Sequence, residues 1–524
     1  MAAARPVAAV RRAGTAAPAA ARPDRPRFRG VRVAMLLVAA VVVAIQAFGI
    51  DDGSVALLYG LFSTVVLTGV AVSFRGGFNP VELTFWLFQY CWLVVPAGYQ
   101  LTTGHPAWSD WDRYSDSVLV QRSIAVYTAG VATYLLVQVV RRRRTGREPD
   151  EVAVSGSADA PDDETRATWL ARGFRRAAFV CTAGAFVLLP YAVVTAGGIG
   201  AFFSSRSERA SAIDANLGST GGPATFLAGQ LPSALSVAGF VLAVCAWRVA
   251  RAARVVVPTR LLVTLGTVAL VLYCNPTSNT RVVSLTAIGA ALLVVFWPTG
   301  KNIATVLSLG IVVALLVVYP LASVFRNDRV ASTYEYSLSE QFSTYDFDGF
   351  QQIVNSVEYA DQGYQARGEH VASALLVFVP RSVWPGKAEP ASIEVAQHRG
   401  YWFADLSLPM PIELYIDVSL VGMLVGMAAM GAVSCVLDDA YRRRGYGPAA
   451  VLAPVLAVAQ VGLLRGPLGS QAPFFLSIVL ALGVGAAMAR RTPRGERRAA
   501  PRRDPGRAPL RPVGPARPAG PVRG

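Results

Sequence analysis

Apolar residues occur along this chain in long blocks, without the alternation of a strand. Twelve blocks approach the ~20 residues that a ~30 Å hydrocarbon layer requires of a helix. They lie at 33–50, 55–74, 80–100, 119–140, 177–196, 223–247, 257–274, 281–298, 303–321, 411–437, 449–464 and 472–489. The block at 80–100 is interrupted by Glu82 and Gln89. The pattern predicts an all-α polytopic membrane protein of about 12 transmembrane helices. Nine of them fill 33–321 and three fill 411–489, on either side of a long polar loop at 322–410. Inside that loop, Val371–Pro380 is an apolar run of ten residues. It is too short to span and predicts a re-entrant or interfacial helix.

Composition agrees with the blocks. Only 16% of the residues are charged and 53% are hydrophobic, where a soluble chain carries about 25% charge. The termini are different in kind. Residues 1–32 and 490–524 are rich in Arg, Pro, Gly and Ala and are expected to be disordered, as is the polar stretch 145–165 within the loop 141–176. The run after residue 32 is a full span without a clear small-residue cleavage site, so it is expected to be a retained anchor. The five cysteines fall in or beside apolar blocks with no CxxC pair, which predicts buried free thiols and no metal site.

The net charge of +16 invites a nucleic-acid reading, but its distribution excludes one. With the N-terminus inside, 37 of the 49 Lys and Arg residues fall in internal segments. That is the positive-inside pattern, and it puts both termini in the cytoplasm of a cell-membrane protein. The basic tails can in addition touch anionic lipid headgroups. No internal repeat of the kind that marks many transporters is present.

Topology leaves twelve basic residues unexplained, among them Arg206, Arg281, Arg326, Arg381, Lys387, Arg399 and Arg465. All sit on the side where the bias disfavours them. Guanidinium groups suit a phosphate-bearing substrate, because the planar fork binds two oxygens at once. The competing reading is pairing with the external carboxylates. Arg281 opens a span directly after a polar turn, at headgroup depth, where either function or snorkelling can place it. Arg465 interrupts the last pair of apolar blocks in the same way. Trp384, in Arg381-Ser-Val-Trp384-Pro-Gly-Lys387, suits the membrane interface and can also stack on a sugar.

Glu413 and Asp417 precede an apolar block at i,i+4 spacing and share a helix face. A carboxylate at the water–lipid boundary can serve as a base toward a sugar hydroxyl, or pair with an external Arg. His370 and His398 are the other base candidates. Two D-x-D triplets, Asp110/Asp112 and Asp346/Asp348, are a weak signal for a divalent cation.

Several of these residues together resemble the O-antigen polymerase, or oligosaccharide repeat-unit polymerase, family. The resemblance rests on Asp346-x-Asp348-Gly-Phe350-Gln351, Gly363, Gly368-Glu369, Val379-Pro380-Arg381-x-x-Trp384-Pro385-x-Lys387, Leu406-Ser407-x-Pro409 and Glu413-x-Tyr415-x-Asp417. Upstream it includes Asn275-Pro276-x-Ser278-x-x-Arg281, and Gly197-Gly198-x-x-x-Phe202 followed by Arg206. It covers roughly 190–470, and the Pro-Arg-x-x-Trp-Pro-x-Lys run is its most specific part. Ala388 stands where the family pattern has Pro, and Asp417 where it often has a small polar residue.

The resemblance implies a membrane glycosyltransferase of GT-C-like, all-helical build. Its substrate would be polyprenyl-diphosphate-linked oligosaccharide at the outer membrane face, in the company of other polysaccharide-assembly proteins. It implies no nucleotide sugar, no metal and no other cofactor. On this expectation Glu413, His398 and Asp417 are the catalytic candidates. Arg206, Arg281, Arg326, Arg381, Trp384, Lys387, Arg399 and Arg465 are the diphosphate and sugar ligands. A lipid-linked glycan ligase and a flippase or other transporter are the alternatives.

Overall fold

A computed structural model of the chain describes residues 28–75, 77–108, 113–145, 161–217, 226–298, 300–318, 340–404, 406–443 and 447–490. Arg326, the Asp110/Asp112 triplet, most of both tails and most of 145–165 lie outside the described residues. The described chain is helical, and no strand occurs among those residues.

The first part of the bundle contains α1 (Arg29–Gly49), α2 (Gly53–Ser73), α3 (Pro80–Phe88), α4 (Val95–Thr103), α5 (Ser117–Thr145), α6 (Pro161–Val187), α7 (Leu189–Thr195) and α8 (Arg206–Leu217). It continues through α9 (Leu231–Ala252), α10 (Arg260–Cys274), α11 (Arg281–Phe296) and α12 (Lys301–Val313). The polar segment holds α13 (Gly349–Asp361), α14 (Glu369–Leu375) and α15 (Ala391–Arg399), and α16 (Met410–Arg442), α17 (Pro448–Arg465) and α18 (Leu468–Ala489) close the chain.

Eight helices or helical runs are long and apolar enough to cross a membrane: α1, α2, α5, α6 with α7, α9 with its preceding turn, α16, α17 and α18. The apolar helices at Arg260–Cys274, Arg281–Phe296 and Asn302–Val317 are shorter. Large apolar side chains line the outside of the bundle; Phe48 is 93% exposed and Val256 96%. Water would penalise such a surface, whereas lipid accepts it.

The run from Pro80 to Thr103 is among the most deeply buried in the bundle, although Glu82 and Gln89 interrupt it. Phe85, Trp86, Phe88, Cys91, Leu93 and Val94 are fully buried or nearly so. The two polar residues that interrupt it each have a partner. Gln89 accepts from the Tyr127 hydroxyl at 3.1 Å, and Glu82 pairs with Arg142. Asn79 gives α3 no side-chain cap. Asp438 near the far end of α16 does so instead, taking the Val81 and Glu82 N–H groups at 2.9 and 3.0 Å. Gly69 lets α2 approach closely, since a Cβ there would fall 2.1 Å from the Trp86 indole. A π-helical turn at Gln89–Val94 joins α3 to α4. Such turns re-aim the side chains that follow, and this one presents Trp92 to the polar segment.

Two expectations change. Helix α6 begins at Pro161, inside the stretch expected to be disordered. Pro at the first helical position followed by Asp162, Asp163 and Glu164 is a composition that favours a helix start. The apolar run Val371–Pro380 is not one helix. Helix α14 stops at Leu375, because Pro380 has no N–H to return to the Leu376 carbonyl. The Val379 N–H closes a turn on the Leu376 carbonyl at 3.0 Å, and Lys387 Nζ adds donors to the carbonyls of Leu376, Val377 and Val379 at 3.2, 2.9 and 3.1 Å. Leu375, Leu376 and Phe378 remain exposed at this tip.

Helix α16 is broken at Ser419, whose φ of 76° and ψ of 178° lie in a region that only glycine occupies freely. The break orphans the carbonyls of the turn before it. The loop ahead of α14 satisfies them: Ala366 N–H donates to the Ile416 carbonyl at 3.1 Å and Gly368 N–H to that of Asp417 at 2.9 Å. Ser419→Gly is therefore expected to raise the thermal unfolding midpoint in detergent, by the equivalent of about 1–3 kcal/mol. A midpoint at or below that of the parent would show that the serine backbone is unstrained.

Candidate active site

The polar segment builds a core of its own beside the bundle. Helix α13 buries Gln351, Gln352, Asn355 and Ser356 as well as its apolar face. Each amide has a use. Gln351 Oε1 accepts Trp108 N–H at 2.7 Å, and the Tyr401 hydroxyl sits 3.2 Å from Gln351 Nε2 and 3.0 Å from Asn355 Nδ2. Asp348, at the head of the helix, accepts from Trp108 Nε1 at 3.0 Å and from Ser407 N–H at 3.4 Å. Burial holds its carboxyl above the usual range against these hydrogen bonds. Hydrogen bonds to Trp108, Tyr401 and Ser407 tie α13 into one defined shape, although Asp348 Oδ1, Asn355 Oδ1 and Ser356 Oγ have no hydrogen-bond partner among the described residues.

That shape places Asp346 between two guanidinium groups from the bundle. Arg281 Nη1 lies 3.3 Å from both carboxylate oxygens, and Arg465 Nη2 lies 3.2 Å from Oδ1. Arg281 is the first residue of α11, where the helix dipole disfavours a cation, so its position needs the carboxylate or another anion. Arg465 ends α17 and lies over the Trp92 ring at 5.2 Å. All three charged side chains keep 21–25% of their surface in contact with solvent.

A third guanidinium lies nearby. Arg209 is 4% exposed, stacks over Phe202 at 4.6 Å and donates to Asn279 Oδ1 at 3.0 Å and Ser278 Oγ at 3.3 Å. Asn275 Nδ2 and Ser278 Oγ both donate to the Phe202 carbonyl, at 2.7 Å each. The turn before Arg281 and the loop around Phe202 are thus one unit. Arg206, the residue expected here, is exposed. Arg209, one turn later, is the one that points inward, and the three-residue spacing on a short amphipathic helix was the signal for it.

One of the carboxylates of α16 meets the turn that follows Arg465. Glu413 and Asp417 are both fully buried. Glu413 Oε2 accepts the Leu468 N–H at 2.6 Å, three residues beyond Arg465, and its Oε1 has no hydrogen-bond partner among the described residues. Asp417 Oδ1 takes the His370 backbone N–H at 3.0 Å and its Nδ1 at 3.1 Å, while Oδ2 takes Val371 N–H at 2.9 Å. His370 Nε2 lies 3.1 Å from Glu394 Oε1, within ion-pair distance though off the hydrogen-bond axis. The Tyr359 hydroxyl donates to Glu394 Oε2 at 3.2 Å. Burial disfavours charge on His370, but Asp417 and Glu394 overcome it and raise the imidazole to about 10. The same His370 contact holds Glu394 below the usual carboxylate range. His370 is therefore a cation at neutral pH, which suits it to hold an anion rather than to accept a proton.

The remaining expected residues lie apart from these groups or serve the backbone. Arg381 Nη1 donates to the Lys387 carbonyl at 2.5 Å and Lys387 to the tip of α14. The Arg381–Lys387 run thus closes on itself, with Trp384 half-buried within it. Arg399 pairs with Glu358 at 3.4 Å. His398 sits against the rings of Tyr359 and Tyr364, at 5.2 and 5.1 Å. Asp346 and Asp348 face different partners, and no cluster of three or more metal-binding side chains occurs among the described residues. The five cysteines are buried and unpaired by disulfide.

The chain matches no family model, no curated protein and no solved structure.

Proposed function

We propose that this protein is a membrane glycosyltransferase of the repeat-unit polymerase type. It joins polyprenyl-diphosphate-linked oligosaccharides at the outer face of the cytoplasmic membrane. In this reading the run 80–103 and the three shorter apolar helices complete twelve spans of GT-C-like build, with both termini cytoplasmic. The observation that carries it is the meeting of Arg281 and Arg465 on Asp346, partly open to solvent, with the buried Glu413 bound by the Leu468 N–H three residues after Arg465. Two guanidinium forks at the headgroup end of an apolar bundle are a fitting receptor for a lipid diphosphate.

Asp346 is the protein's own anion between the two forks. A diphosphate carries more charge and replaces it on both forks. Arg465 then moves with its substrate, and the Leu468 N–H that covers Glu413 moves with it. The acceptor sugar hydroxyl attacks the anomeric carbon of the donor and the new C–O bond forms. The bond from that carbon to the diphosphate breaks, and the leaving lipid diphosphate takes the electron pair, its charge balanced by Arg281 and Arg465. The hydroxyl proton passes to Glu413.

A transport reading draws on a different observation, the buried Glu82 and Asp438 with Arg142 at the basic end. Asp438 is engaged there as a helix cap and Glu82 as an ion-pair partner, so the cluster has a structural use already. Purified protein in liposomes, given lipid-linked repeat units and nothing else, separates the readings. New chains of many repeats are expected. Movement of lipid across the bilayer without new glycosidic bonds would replace the polymerase with a transporter. Reaction only when a chemically different acceptor is added would replace it with a ligase.

A further inference from the structure

A recess lies at the opposite end of the bundle from this site. It encloses about 1000 Å³ between α6, the end of α9 and the start of α10. Four guanidinium-bearing residues line it, Arg175, Arg176, Arg251 and Arg260, together with Trp247 and Phe179, and no Asp or Glu does. Arg251 lies over the Trp247 ring at 5.4 Å. Arg175, Arg176, Arg251 and Arg260 are all exposed. The neighbouring Arg248 is spoken for, since it donates to the Val295 carbonyl at 2.8 Å.

The cause of the cavity is the length of α10. Its 15 residues span about 22 Å, short of a ~30 Å hydrocarbon layer. The longer α6 and α9 flank it. A second recess of about 390 Å³ runs up the same helix, over Val263, Thr267 and Val271. The molecule thus offers a cationic pocket at headgroup level and, farther along the same helix, an apolar recess.

We propose that this recess is a binding site for an anionic phospholipid of the leaflet at the basic end of the bundle. The phosphodiester sits among the four arginines, Trp247 marks the interface, and an acyl chain lies along α10. Charge complementarity selects the occupant: four guanidiniums with no acidic residue among the described lining, beside a lipid-facing recess, fit one phosphate on two acyl chains. The site is separate from the proposed diphosphate site, because α10 carries one at its Arg260 end and the other beyond its Cys274 end.

The test uses the full chain in detergent, titrated with phosphatidylglycerol, phosphatidylcholine or inorganic phosphate and read by native mass spectrometry. Phosphatidylglycerol is expected to bind in preference to phosphatidylcholine, and inorganic phosphate alone is expected not to compete. The double variant Arg251→Gln/Arg260→Gln should bind it about thirtyfold more weakly, from the cost of two lost basic contacts near the surface. Leu265→Trp, which fills the cavity and leaves every charge in place, should weaken binding as well. Equal binding of the two lipids, displacement by free phosphate, or unchanged binding in Leu265→Trp would overturn the proposal.

Discussion

Alanine in place of Arg281 or Arg465 is expected to slow polymer formation by about 10²–10³-fold, the usual cost of removing one donor aimed at developing charge. The same substitutions should leave the protein folded. The ion pairs they break are partly solvated, with 21–25% of each side chain exposed, and such pairs contribute only about 0–1 kcal/mol to stability. A large kinetic loss with a small shift in unfolding midpoint separates a ligand from a strut. Lysine at Arg465 keeps the charge over Trp92 but loses the fork, so its rate should fall between those of the parent and the alanine variant. Asp346→Asn works in the opposite direction. It removes the competing anion and should tighten binding of a lipid diphosphate, measured with a non-transferable analogue. If Arg281→Ala and Arg465→Ala both polymerise at the parental rate, the assignment of the diphosphate site is wrong.

The second large effect concerns Asp417, and it is a loss of stability. Its two oxygens accept two backbone N–H groups and the His370 ring, all in a buried setting. Asp417→Asn leaves the His370 cation with Glu394 alone, and breaking a buried pair typically costs about 3–5 kcal/mol. The pH dependence follows from the raised imidazole. Unfolded histidine titrates near ~6.5, whereas folded His370 does so at about 10. Between those values the folded chain binds a proton that the unfolded chain does not. The stabilisation is complete below the lower value, declines as pH rises through the window, and is gone above the upper one. Thermal unfolding between pH 6 and 10.5 should show this decline in the parent, and it should be absent in His370→Gln. Parallel profiles for the two proteins would remove His370 from the account.

The membrane character was legible because twelve apolar blocks stand out from any soluble pattern; eight of them fall on helices or helical runs long and apolar enough to span, and the described parts of the other four on shorter helices. Arg281 and Arg465 were legible for a related reason. On the topology expected from the positive-inside pattern most basic residues fall inside, so those outside ask for another cause. Their common partner was not legible. Asp346 is 65 residues from one and 119 from the other, and nothing local links them. The polar core of α13 was hidden too, because Gln351, Gln352 and Asn355 read as surface residues until Trp108 and Tyr401 are brought against them. The short helix α14 turned on Pro380 and Lys387. Both residues were in view, but the use of a lysine to satisfy three carbonyls depends on where a loop returns.

The cap on α3 has a consequence for biosynthesis. Asp438 is made 356 residues after the Glu82 N–H it binds. At about 5–20 residues per second, that is a delay of roughly 20–70 s. Arg142 reaches Glu82 sooner, being 60 residues downstream, but the helix start stays open until α16 has been synthesised. A nascent chain must therefore hold the run from Pro80 to Thr103 in a provisional place, with an uncapped end and a carboxylate beside it. The last helices to emerge from the ribosome complete the third. Truncations before Asp438 would leave this early segment exposed to the cell's quality-control proteases.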